Sequence, residues 1–159
     1  MAKKLPNDAL LSEIFQQVSS AKTKAEKIKL LQQYNNDGFR ACLIINFDES
    51  LEFLLPTDGE VPYKKNEAPP GTEHSRLDHE YRNFYRFFKG GDSSINGMKR
   101  EQLFIQLLEG LQEQEAELFI LCTRKDLQSK YRITKQVVQD EWASSYSTGA
   151  VSYTHLRAH

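Results

Sequence analysis

The chain reads as an all-α protein: a single compact multi-helix domain with one long proline-rich loop and orthogonal helix packing rather than a regular bundle. Three observations predict this. The stretch Met98–Cys122 carries apolar residues at helical spacing on both sides of Gly110, so it reads as two amphipathic helices joined at a hinge. Other stretches repeat the same spacing behind short polar capping residues. Four of the five prolines fall within 56–73, which places the irregular structure in one long connection.

Within the central pair, Leu103, Phe104, Leu107, Leu108 and Leu111 share one face, opposite Lys99, Arg100, Gln102, Gln106 and Glu109. Ser94 and Asn96 are the candidate N-caps, and Gly110 suits a left-handed helix end because it lacks a Cβ. The second helix spans about Glu113 to Arg124, with its acids early and its bases late, as the helix dipole favours. Ala116, Phe119, Ile120 and Cys122 or Thr123 are its inward residues, widened by Leu118 and Leu121.

Upstream, Asn7 or Asp8 is expected to cap a helix whose stripe is Leu10, Leu11, Ile14, Phe15 and Val18. Thr23 and Glu26 form a capping-box pattern for a second helix, with Ala25, Ile28, Leu31 and Tyr34 inward. The run 39–47 fits a buried helix or a buried strand, because a short apolar run does not reveal its period; helical neighbours favour the helix, capped by Asp37. Leu51, Phe53, Leu54 and Leu55 form a further apolar turn stopped by Pro56.

Ser75 and Asp78 can open the next helix, whose aromatic stripe is Leu77, Tyr81, Phe84, Tyr85 and Phe88, ended by Gly90 and Gly91. A last helix is expected within 131–142, begun at Thr134, with Val137, Val138 and Trp142 inward. The organisation is therefore an N-terminal helical half (1–55), a loop (56–74), a C-terminal half of the same domain (75–142) and a frayed end (143–150). The tail 151–159, VSYTHLRAH, matches one reading frame of a transposase adapter used to fragment DNA for sequencing. It is expected to be non-native, with the natural C-terminus truncated, and it implies a metagenomic source.

Charge and chemistry narrow the function classes. A net charge of −1 provides no global basic field for nucleic acid or membrane. No apolar run approaches a membrane span, and the N-terminus lacks an apolar signal region. Cys42 and Cys122 sit in apolar runs and read as buried free thiols of a reducing cytosol.

His74 and His79 are five residues apart, a poor spacing for one metal, and read as surface histidines. Gly90-Gly91 followed by serines lacks a phosphate-loop lysine and reads as a turn. Glu109, Glu113, Glu115 and Glu117 read as a solvated helix face. Arg82, Arg86 and Lys89 recur at i, i+4 and i+7, beside Arg76, and are the candidates for nucleic-acid contact. No residue qualifies as catalytic, cofactor-binding or metal-ligating, so no cofactor and no enzymatic activity are expected.

Four blocks together resemble a family of uncharacterised proteins from T-even-type tailed phages of marine cyanobacteria. They are LLPTDGEVPY (54–63), FFKGG (87–91), KREQLFIQLLEGLQEQEAELF (99–119) and YRITKQVVQDEW (131–142). The resemblance covers most of the chain after about Gly38 and brings no site residue with it. It implies a phage-encoded protein in the cytoplasm of an infected bacterium. The expected role is a non-enzymatic accessory protein that binds a phage or host protein. The alternative is an accessory factor of phage DNA replication or transcription that contacts nucleic acid through the basic helix edge.

Overall fold

The computed structural model describes residues 9–34, 36–56, 59–65 and 75–139. Among these residues all regular structure is helical, and the only strand-like feature is a single antiparallel bridge between Phe53 and Phe88. The expected caps Asn7 and Asp8, residues 57, 58 and 66–74 of the loop with His74 among them, Trp142 and the adapter-like tail lie outside the described residues.

Helix α1 spans Leu11–Ser20, and its stripe Leu11, Ile14, Phe15 and Val18 is buried as the spacing predicts. Leu10 occupies the N-cap position and has no side-chain acceptor; Glu13 reaches back to accept the Leu10 amide at 2.9 Å. Helix α2, Lys24–Gln33, starts where Thr23 Oγ1 accepts the Glu26 amide at 3.1 Å. Leu31 is its buried residue; Ile28 and Tyr34 are partly buried, and Ala25 is exposed, contrary to its inward assignment.

The ambiguous run is a helix. Helix α3 spans Asp37–Phe47, and Asn36 rather than Asp37 caps it, its Oδ1 accepting the Phe39 amide at 2.8 Å. Nearly the whole of α3 is buried, which explains why its sequence has no polar face to reveal a period. Gly38 lets it approach the next element: a Cβ there would lie 2.7 Å from the Asp78 Cα.

The aromatic segment departs from expectation. It is one short α-helical turn, α4 (Leu77–Glu80), continued by a 3₁₀ helix over Tyr81–Phe87. With three residues per turn, positions three apart align. Tyr81, Phe84 and Phe87 are therefore the buried residues, Phe88 is buried just beyond the helix, and Tyr85 turns out of the core to half-exposure. The expected cap at Ser75 is replaced by Arg76, which has no capping side chain. Phe53 belongs to no apolar turn of helix; it pairs with Phe88, while Leu54 faces water. Gly90 takes a φ of +85° in the turn that follows.

Helices α5 (Gly97–Gly110) and α6 (Glu113–Thr123) form the central pair. Asn96 caps α5 by accepting the Lys99 amide at 2.8 Å. Gly110 is the last helical residue without being left-handed, and Leu111 leaves the helix in an extended conformation. The left-handed position falls instead on Lys125 after α6, with φ +56°. Its ammonium donates to the Ile45 and Asp48 carbonyls at 2.9 and 2.8 Å, so the end of α6 is fastened to the end of α3. A short 3₁₀ turn, Leu127–Ser129, follows; its Leu127 amide is accepted by buried Asn46 at 3.0 Å. Helical residues resume at 135–139, where Thr134 Oγ1 accepts the Val137 amide and Val137 and Val138 are buried.

One apolar cluster runs from Ala9 to Val138, drawing on the segments both before and after the proline-containing connection. Its densest part is aromatic: Phe119 lies 4.5 Å from Phe84 and 5.8 Å from Phe104, and Phe104 lies 5.4 Å from Phe53 and from Phe87, ring centre to ring centre. Phe104, Leu108, Leu111 and Phe119 are buried as expected. Leu103, Leu107 and Ile120 are only partly covered, packing against the cluster from its edge.

Candidate functional site

Helix α5 is held like a rail across the surface. Arg100 donates from Nε to the Arg86 carbonyl at 2.9 Å, and from Nη2 to the Asp92 and Ile95 carbonyls at 3.2 and 3.1 Å. One guanidinium thus ties the 3₁₀ helix, the glycine turn and the start of α5 together. Phe104 and Leu108 point into the core, while Leu103, Ile105 and Leu107 remain partly open and Met98 is exposed.

This leaves a groove on each flank. On one side, Phe104 and Ile105 face Leu55, Pro56, Val61 and Pro62 across a cavity of about 140 Å³, rimmed by Glu60, Glu101 and Arg124. On the other, Leu103 and Leu107 face Phe87 across about 210 Å³, with Glu80, Asn83 and Arg86 at the mouth. A third, larger cleft of about 600 Å³ lies between the end of α1 and α2, beside Lys22, Glu26 and Lys29.

The basic candidates do not assemble into a stripe. Four residues of a 3₁₀ helix turn through about 120° beyond a full circle, so Arg82 and Arg86 point in different directions. Arg82 is exposed and its Nε donates to the Tyr81 hydroxyl at 3.4 Å; Arg86 is half-buried. Lys89 lies beyond the helix and faces Glu52 at 3.8 Å. Arg76 is structural: it forms a two-pronged pair with Asp78, 3.0 Å in each arm, and also donates to the Ala9 carbonyl. His79 is exposed beside Asp78, and no cluster of potential metal ligands occurs among the described residues.

The acidic face is corrected at one position. Glu113 and Glu117 are exposed, whereas Glu115 is buried completely. Its Oε2 accepts the Leu11 amide at 2.8 Å and its Oε1 accepts the Leu77 amide at 3.2 Å. Each is a first-turn amide with no partner inside its own helix, so one carboxylate closes the start of both α1 and α4. Burial pushes its pKa up to about 7, against the pull of the two amides.

Cys42 and Cys122 are both buried free thiols. A hydrogen bond with Cys122, together with burial, raises the Cys42 pKa well above that of an ordinary thiol. Such a thiol is a poor nucleophile. Burial lowers the Lys125 pKa, but its ammonium is committed to two carbonyls. Sequence reasoning missed Glu115 because an acid among acids reads as solvated. It missed Arg100 because its acceptors are backbone carbonyls, which no side-chain pattern announces.

No helix among the described residues is long and apolar enough to cross a membrane. No curated protein and no solved structure matches the chain. A family model described as a family of unknown function (DUF6433) matches residues 14–129, from within α1 to the 3₁₀ turn after α6. The match takes in both helices of the central pair, both grooves beside α5 and the carboxylate of Glu115, and the chain therefore belongs to this family.

Proposed function

We propose that this chain is a phage-encoded accessory protein without enzymatic chemistry, which works by binding another protein, from phage or host, through the face built around α5. The observation that carries this reading is the partial cover of Leu103, Ile105 and Leu107 on a helix otherwise anchored by Phe104 and Leu108. Covering apolar surface of this kind is worth about 25 cal/mol per Å² removed from water, so a partner that closes the flanks gains affinity there. The same helix carries the sequence block on which the phage resemblance is most specific, KREQLFIQLLEG. Phage origin places the protein in the cytoplasm of an infected bacterium.

The test is recovery of the tagged chain from cells infected with a phage that encodes it. A protein partner in stoichiometric amount, lost on Leu107→Glu and retained on substitution of exposed Lys24, is the expected result. Recovery as a lone monomer would overturn the reading.

A further inference from the structure

We propose that the groove between α5 and the 59–62 segment is a docking slot for a partner segment that sets one aliphatic side chain beside a lysine or arginine. This deepens the binding reading above and rests on it. The cavity of about 140 Å³ is well below the ~300 Å³ at which small-molecule sites begin, and it has room for a side chain rather than a cofactor. Its lining is mainly apolar on both sides, with Leu55, Pro56, Val61 and Pro62 opposite Phe104 and Ile105. An apolar insert therefore meets six apolar residues among the nine that line the slot, the other three being Glu60, Glu101 and Arg124.

The slot is built before anything enters it. Pro56 and Pro62 have fixed backbone angles and no amide to satisfy. The Lys64 amide donates to Glu109 Oε2 at 2.8 Å, and Lys65 faces Glu113 at 3.6 Å, which holds the segment against the central helices. Arg124 Nη2 donates to the Gly59 carbonyl at 2.6 Å and secures the other end. A wall fixed in this way spares the partner the cost of ordering it.

The rim selects the charge of the occupant. Glu60 and Glu101 are exposed at the mouth, and neither pairs with a cation among the described residues. The one cation of the lining, Arg124, is drawn to the Gly59 carbonyl. A lysine or arginine adjacent to the inserted side chain meets two carboxylates, whereas an acidic neighbour meets repulsion.

The probe is a displayed library of random twelve-residue peptides, panned against the full chain. Enriched peptides are expected to place Leu, Ile, Val or Met next to Lys or Arg. A synthetic copy of the best peptide should bind at least about tenfold more weakly to Ile105→Glu and to the double variant Glu60→Lys/Glu101→Lys, and equally well to Met98→Ala. The double variant changes only exposed residues, so it keeps the test decisive if Ile105→Glu does not fold. An acidic or uncharged consensus, no enrichment over the double variant, or binding indifferent to the double variant overturns the proposal. So does Ile105-dependent self-association in the ultracentrifuge, which would make a second copy the occupant. A partner from infected cells that still binds the double variant would remove the slot and leave the binding reading standing. Peptide capture without any cellular partner would do the reverse.

Discussion

The Glu115 carboxylate accepts the backbone amide of Leu11 at 2.8 Å across 104 residues of sequence. Its second oxygen takes the Leu77 amide, so α6 supplies what neither α1 nor α4 can supply from its own N-cap, Leu10 or Arg76. Three segments far apart in the chain are thereby set in register by a single side chain.

Glu115→Ala should be costly although no activity is attached to the residue. It strands two buried amides, each worth roughly 1–3 kcal/mol when unsatisfied, and opens a cavity. The expected loss is about 2–5 kcal/mol in urea unfolding, against less than about 0.5 kcal/mol for exposed Glu113→Ala. Equal effects at the two positions would contradict the bridging role.

The pH dependence follows from the same group. Burial holds the native pKa at about 7, above its ordinary value of 4.5, with Asp78 pushing it up and Arg76 pulling it down; Cys42 and Tyr131 also feel its charge. Between these values the native protein binds the extra proton, so this contribution to stability is complete below pH 4.5. It is lost as pH rises through about 7, by up to about 3 kcal/mol. Glu115→Gln does not titrate, so its stability gap to the unmodified chain should narrow between pH 4.5 and 8. Parallel urea midpoints for the two proteins would assign the native carboxylate an ordinary titration.

The three-residue register of the aromatic segment separates two neighbouring rings. Phe87→Ala empties a buried site in contact with Phe104 and Phe119 and should cost about 3–5 kcal/mol. Tyr85→Ala, on the half-exposed side, should cost about 1 kcal/mol or less. Thermal unfolding of both variants decides it, since an α-helical continuation from Tyr81 places Tyr85 inward and reverses the order.

Gly38 is required by proximity rather than by backbone angle. A methyl group there would press on the Asp78 backbone, so Gly38→Ala should destabilise by about 1–3 kcal/mol. Gly97, with nothing within 4 Å of the same methyl position, should gain about 0.5–1 kcal/mol on becoming alanine. Chemical denaturation of the pair tests whether α3 and α4 approach as closely as described.

What could be read from the sequence is what depends on local chemistry. Thr23 announces its helix, and Ser94 and Asn96 narrow the start of α5 to two caps of which Asn96 is used, because a short polar acceptor satisfies amides only a few residues away. The stripe of α1 follows from spacing alone, as do Ala116, Leu118, Phe119 and Cys122 on the inward side of α6. The long-range choices were hidden. Glu115 looks like its solvated neighbours until α1 and α4 arrive above it. The α-to-3₁₀ change at Tyr81 leaves Tyr85 and Phe87 equally aromatic on paper, and only packing against Phe104 and Phe119 chooses between them. Arg82 and Arg86 lose their common face to the same change in helical pitch, and Lys89 lies beyond the helix end. The grooves beside α5 depend on where the proline segment lies, which no periodicity encodes.

Amide hydrogen exchange of Leu11 and Leu77, followed by NMR in the unmodified chain and in Glu115→Ala, tests the bridging carboxylate most directly. First-turn amides ordinarily exchange freely because nothing in their own helix accepts them. Both should be protected in the unmodified chain. Both should exchange about ten- to a hundredfold faster in the variant, beyond any global loss registered at the helix-interior amide of Leu108. Free exchange at both sites in the unmodified chain, or protection that survives the substitution, would contradict the account.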